Sequence, residues 1–403
     1  MICCVCENRN HVDLTSILWP HIEYLGLSVM ALVTERLDRM GALEHALELG
    51  VPYTILDTDL ETRFQENKRA GKHGLLEEDV FAVLSAGFDQ IVNHCKLLIL
   101  YTDNSIRETF LREYARKKNI PVFLVQEGFL SVVRKDDRLM PWWFGFACYV
   151  FSKLKIFKKY NRKFVELRAY NERRFGHSRP DKLFVYGQSV SDRLIKFYRL
   201  PKSSIFIAGA LQNKHELINN AAQPSLKTEI NLNVLFADQC LVRNLTISEE
   251  RWLREFPLLM EALIPYGPKF KFHPSEIDDV KNLIMKNYGK FIELIEGPLL
   301  TDELLTGSDV MVTYFSSGYI EALSKYVPVI FFAMPGANIE MPKIHSPMVR
   351  NVTTASELSV VLNEYKSTGQ FPANTDGLPL NYFLEFHDTA GIITSEISKT
   401  LRL

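Results

Sequence analysis

Apolar and polar positions alternate along the chain in two series of short, nearly continuous apolar runs separated by helical patterns. ICCVC (2–6), LSVMALVT (27–34), YTIL (53–56), KLLILYT (96–102) and PVFLVQ (121–126) are the runs of the first half. Helical patterns follow them to about Tyr24, through Leu49, to about His94 and over 105–118. Unbroken apolar strands with intervening helices predict a parallel sheet covered on both faces. KLFVYG (182–187) and SSIFIAG (203–209) add two strands around a helix at 191–200. A second series begins at Asn233 with VLFAD (234–238), KFKFHP (269–274), FIELIEG (291–297), DVMVTYF (309–315) and PVIFF (328–332). Its helices are expected at 248–264, 276–288, 301–306, 316–326 and 354–366.

Two segments break the rhythm. The stretch 134–179 opens with RKDDR, passes through PWWFGFACYVF and carries ten Lys and Arg between Phe151 and Arg179. Aromatics beside basic residues over 141–164 suit peripheral contact with an anionic inner-membrane surface. A core-packed helix with a solvated basic face fits the same pattern. Residues 210–232 are polar and mixed, and read as a linker. The expected organisation is α/β: a Rossmann-like domain over 1–209, a second over 233–386, and a final helix at 387–403 packing back on the first.

A length of 403 residues accommodates two domains. A net charge of −1 disfavours a dedicated nucleic-acid partner. Six cysteines in 403 residues, with Cys3, Cys4 and Cys6 inside the first strand-like run, read as buried reduced thiols rather than a disulfide or zinc scaffold. The N-terminus lacks the basic start of a signal peptide, and no run approaches about 20 apolar residues, so a cytoplasmic protein is expected. The Gly-rich dinucleotide fingerprint, the P-loop and the hydrolase Ser elbow are all missing from the sequence.

Candidate chemistry gathers at predicted strand ends. Ser316, Ser317 and Gly318 end one strand and open a helix, where hydroxyls and backbone N–H groups suit a phosphate. Glu321, one turn on, suits ribose hydroxyls; an ordinary Ser N-cap fits the same residues. His273-Pro274 ends the KFKFHP strand, and its imidazole can donate to a phosphate oxygen. Glu127 follows the fifth strand as a candidate general base, a task suited to a carboxyl of raised pKa. Asp238 ends the first strand of the second half as a candidate nucleophile, base or orienting group. Asp57-Thr58-Asp59 has the Asp-x-Asp form of a metal site, but turn-capping is its ordinary role after a strand.

The ordered set Glu127-Gly128, His273-Pro274 and Ser316-Ser317 resembles bacterial transferases that use CMP-activated ulosonic acids: sialyltransferases, polysialyltransferases and capsule Kdo transferases. Gln126-Glu127-Gly128-Phe129-Leu130 is similar to the capsule family's Glu-Asp-Gly-Phe-Leu, with only the second carboxylate kept. Size and layout look most similar to retaining β-Kdo transferases of surface-polysaccharide assembly. The resemblance implies a two-domain GT-B fold with a cleft, a CMP-sugar donor and a glycan acceptor, lipid-linked in some cases. It implies CMP held by His273, Pro274, Ser316, Ser317, Gly318 and Glu321, without a metal or other cofactor. Asp238 would form the glycosyl adduct and Glu127 would act as acid/base. In an inverting reaction Glu127 is the sole base and Asp238 orients. A sialyltransferase, a CDP-glycerol glycerophosphotransferase, a nucleotide-sugar epimerase and a non-catalytic CMP-binding module remain alternatives.

Overall fold

The computed structural model describes residues 1–33, 41–56, 77–102, 106–127, 180–211, 232–242, 246–273, 276–295, 302–314, 316, 318–337, 343–371, 377–385 and 387–403. The Asp57–Asp59 motif, the basic aromatic stretch 134–179, Pro274 and Ser317 lie outside them. These residues form two compact units.

The first unit carries seven parallel strands: β1 (Ile2–Cys6), β2 (Val29–Val33), β3 (Tyr53–Ile55), β4 (Leu97–Leu100), β5 (Val122–Val125), β6 (Lys182–Val185) and β7 (Ile205–Ile207). Their order is β3-β2-β1-β4-β5-β6-β7. Every residue of β1, β4 and β5 is buried, as strands covered by helices on both faces must be. Helix α1 (Arg9–Tyr24) starts where the Asn8 side chain accepts from the His11 N–H at 2.9 Å. Ala390, Ile393 and Ile397 of the helix Thr389–Leu401 join the same core as Ile2, Val12 and Leu18. Lys182 pairs with Glu396 of that helix, and the Thr389 hydroxyl donates to the Ala208 carbonyl. Ala210 and Leu211, which the sequence pattern assigns to the connection, are buried with this unit.

The second unit has β8 (Val234–Ala237), β9 (Lys269–Lys271), β10 (Glu293–Ile295), β11 (Val310–Thr313), β12 (Val329–Phe332) and β14 (Val349–Val352). The parallel order is β10-β9-β8-β11-β12-β14. A small parallel pair, β13 (Ile344–His345) with β15 (Leu378–Pro379), was not anticipated. At two residues each, these strands carry no periodic signal. Trp252, Phe256, Phe270, Tyr314 and Phe332 belong to one core cluster of this unit. Among the described residues no helix is long and apolar enough to cross a membrane.

Helix α1 meets α2 (Ala42–Leu49) through an ionic clamp. His45 Nε2 lies 2.6 Å from Asp13 Oδ1, and Nδ1 lies 2.9 Å from Glu48 Oε2. Arg9 Nη2 reaches Glu44 at 3.1 Å. Burial works to lower the imidazole pKa, but the hydrogen bonds to Glu48 and Asp13 win and raise it, against a small opposing effect of Arg9. The folded state therefore holds a proton that the unfolded chain loses near pH 6.5. The clamp's stabilisation is complete below that pH and is lost as pH rises through the higher folded value. Urea midpoints should fall between pH 6 and pH 9 in the wild type, and this part of the slope should disappear in His45→Gln.

Candidate functional site

Three neighbouring strands of the second unit, β9, β8 and β11, end on one sheet edge and bring candidate residues to it. The Asp238 N–H donates to the Lys271 carbonyl at 2.9 Å, so the ladder between β8 and β9 runs one residue past the strand and carries Asp238 to the edge. Beyond β9, His273 Nδ1 stands 3.4 Å from Cys240 Sγ. The His273 carbonyl accepts from the Glu276 N–H at 2.9 Å, which folds Glu276 back toward the sheet. Beyond β11, the Thr313 hydroxyl donates to the Ala237 carbonyl at 2.8 Å and accepts from the Ser316 N–H at 3.4 Å. The sheet thus places Asp238, His273 and Ser316 on adjacent strand ends. This is the edge where open parallel α/β sheets bind ligands.

Ser316 Oγ accepts from the Gly318 N–H at 3.2 Å. Its acceptor side caps the turn while its own O–H is left to donate. Tyr319–Ser324 is a helix of six residues, and one Glu321 carboxylate oxygen is shielded from solvent. Among the described residues no group of three or more His, Cys, Asp or Glu is arranged to hold a metal ion.

Asp238 is 5% exposed and Glu276 6% exposed. Burial pushes the Asp238 pKa well above the carboxylate range, and Glu276 adds charge repulsion and a hydrogen bond to the protonated form. The Gln239 N–H pulls the other way without prevailing. Asp238 Oδ2 and the hydroxyl of Tyr314, at the end of β11, are buried without a hydrogen-bond partner among the described residues. The sequence reading offers Asp238 as nucleophile, base or orienting group, and the repulsion from Glu276 that favours its protonated form is invisible until the fold brings the two together.

In the first unit, Glu127 stands two residues past β5, facing the loop between β1 and α1. Its carboxylate contacts His11 Nε2, and Asn10 Nδ2 donates to Oε2 at 3.3 Å. Burial works to raise its pKa, yet His11, Asn10 and Asn8 together hold it below the ordinary glutamate value. The raised pKa expected of a tuned base is therefore absent, and Glu127 is an ionised acceptor at neutral pH. Sequence reasoning missed His11, Asn10, Cys240, Glu276 and Tyr314. The available signal was positional: each follows a parallel strand by a few residues, as Glu127 and His273 do.

No protein-family model matches this sequence, and no curated protein matches it. Solved structures do resemble it in three dimensions. Staphylococcus aureus MnaA with UDP is 13% identical, with a TM-score of 0.58 over 100% of this chain and 97% of that one. Methanocaldococcus jannaschii UDP-GlcNAc 2-epimerase, solved with UDP-GlcNAc and UDP, is 14% identical, with a TM-score of 0.57 over 99% of both chains. The glycotransferase of kitacinnamycin is 14% identical, with a TM-score of 0.54 over 99% and 98%. These neighbours overturn the resemblance to CMP-ulosonic acid transferases. His-Pro and Ser-Ser at strand ends suit any nucleotide's phosphates, so short motifs of this kind do not select the base or the sugar. At such identities the likeness shows the fold, and the fold is GT-B type: two Rossmann-like parallel-sheet α/β units in one chain.

Proposed function

We propose that this chain is an enzyme that takes a UDP-sugar as donor and transfers the sugar to a hydroxyl acceptor. The observation that carries the reading is the convergence of His273, Ser316 and the buried Asp238 on adjacent strand ends of the second unit. An imidazole, a hydroxyl and backbone N–H groups together are a donor set for a diphosphate. Asp238 supplies a proton to the departing phosphate or hydrogen-bonds to it, and Glu127 takes the proton of the acceptor hydroxyl. UDP is the nucleotide named with several of the similar structures, which supports it as the donor's leaving group.

A second reading, UDP-sugar epimerisation, is supported by the printed names of those same neighbours. The first experiment measures UDP binding to wild type, His273→Ala and Ser316→Ala. Losing a hydrogen bond to a charged phosphate should weaken binding by about 10–100-fold. The second follows a panel of UDP-sugars in D2O with and without glycan acceptors. UDP release that requires an acceptor supports transfer. Deuterium at a sugar carbon without an acceptor supports epimerisation. UDP binding with no turnover identifies a binding module, and wild-type UDP affinity in both variants removes the site assignment altogether.

A further inference from the structure

His11 is fully buried in the first turn of α1, with one ring nitrogen on a backbone amide and the other on a carboxylate. We propose that His11 is the positioning residue of Glu127: its Nε2 side stands in ionic contact with the carboxylate, fixing the direction and the charge of that side chain for proton transfer. The proposal rests on the reading of Glu127 as the acceptor of a substrate proton.

The proton's place follows from the partners. The Glu7 N–H donates to His11 Nδ1 at 3.1 Å. A backbone amide has no lone pair to offer, so Nδ1 presents its own lone pair there. The proton of the neutral ring is therefore on Nε2, the nitrogen that contacts Glu127. Asn10 Nδ2 donates to the same oxygen, Oε2. A hydrogen bond from Asn10 and an ionic contact with His11 on one oxygen fix the carboxylate's orientation.

The ring itself is held on every side. Its centroid lies 5.3 Å from that of Tyr101, which follows β4. The Thr15 hydroxyl donates to the His11 carbonyl at 2.8 Å, and so accepts from the Tyr101 hydroxyl at 2.9 Å. Asn8 accepts from the His11 N–H. A second proton can enter only at Nδ1, where it displaces the Glu7 amide bond.

The titratable groups facing His11 are Glu127 from the end of β5, Glu7 from its own loop and Tyr101 from the end of β4. Burial pushes the Tyr101 phenol well up, so it stays neutral. Burial would lower the imidazole pKa, but the charge and hydrogen bond of Glu127, with the charge of Glu7, raise it.

Imidazole 15N NMR of the full chain tests the geometry without any substrate. His11 is identified as the resonance missing in His11→Gln. At pH 9 it should be protonated on Nε2 and bare on Nδ1, and in Glu127→Gln its titration midpoint should fall. A ring protonated on Nδ1, or a midpoint unmoved in Glu127→Gln, overturns the proposal. In turnover, His11→Ala should lower kcat by about 10²-fold with KM for the UDP-sugar unchanged. The acid limb of its pH profile should move upward, because Glu127 has lost the partner that kept it ionised. His11→Gln, which keeps an N–H donor but cannot titrate, should recover most of the loss. Normal kcat in His11→Ala alongside a dead Glu127→Gln overturns the positioning role and leaves Glu127 as the base. Normal turnover in Glu127→Gln overturns the base itself, and the positioning role with it.

Discussion

Asp238→Asn is expected to unfold at higher urea than the wild type at pH 8 and to turn over its nucleotide sugar about 10²–10⁴-fold more slowly. The two effects have one cause. Burial and Glu276 oppose the charge of the Asp238 carboxyl and raise its pKa well above the ordinary carboxylate value in the folded chain. The unfolded chain releases the carboxyl proton near pH 3.9. Above that pH the unfolded state binds fewer protons than the folded state, so stability falls as pH rises toward the raised folded value. Asn keeps the shape, offers Glu276 an N–H donor and has no charge to release. The variant should match the wild type below about pH 4 and overtake it at alkaline pH. It cannot surrender a proton, so the chemical step suffers. A residue kept for packing alone gives a different result: a variant no more stable than the wild type at pH 8 and fully active. Glu276→Gln removes the repulsion but not the burial, and should reproduce part of the stability gain.

Phe256→Ala should cost the second unit about 3–5 kcal/mol and lower its melting temperature by roughly 10 °C. Phe256 is 1% exposed within the helix Glu249–Leu263. Its ring stacks on Trp252 at 4.5 Å between centroids and meets Phe270 edge-on at 6.4 Å and Tyr288 at 5.9 Å. Phe270 lies in β9, the strand that leads to His273, so loosened packing against that strand would reach the candidate phosphate site. UDP binding should weaken along with stability. Leu258, two residues on and 46% exposed, provides the control. Leu258→Ala should stay within about 0.5 kcal/mol of the wild type by denaturant unfolding. Equal losses at both positions would mean that the aromatic cluster is not what holds this face together.

The strands and their parallel pairing were readable because apolar runs such as LLIL and VMVT are buried on both faces, and burial of that kind leaves a continuous signature. Asp238, His273 and Ser316 were readable for a related reason. Each follows such a run directly, and the end of a parallel strand is where the backbone leaves the sheet and side chains meet ligand. The two-residue strands β13 and β15 are too short for any period to show. The family resemblance was misleading because short His-Pro and Ser-Ser motifs at strand ends suit the phosphate of any nucleotide.

Charge state belonged to the tertiary structure alone. Glu127 and His11 are separated by 116 positions, and only the adjacency of β1, β4 and β5 brings them into contact, which turns a side chain expected to have a raised pKa into a held carboxylate. Asp238 and Glu276 are 38 positions apart, and burying them together pushes the pKa of the former well above the ordinary carboxylate value. Sequence by itself determined which residues stand at strand ends, since hydrophobic periodicity is a local property of the chain. The fold decided which of them face one another, because desolvation and Coulomb repulsion act through space.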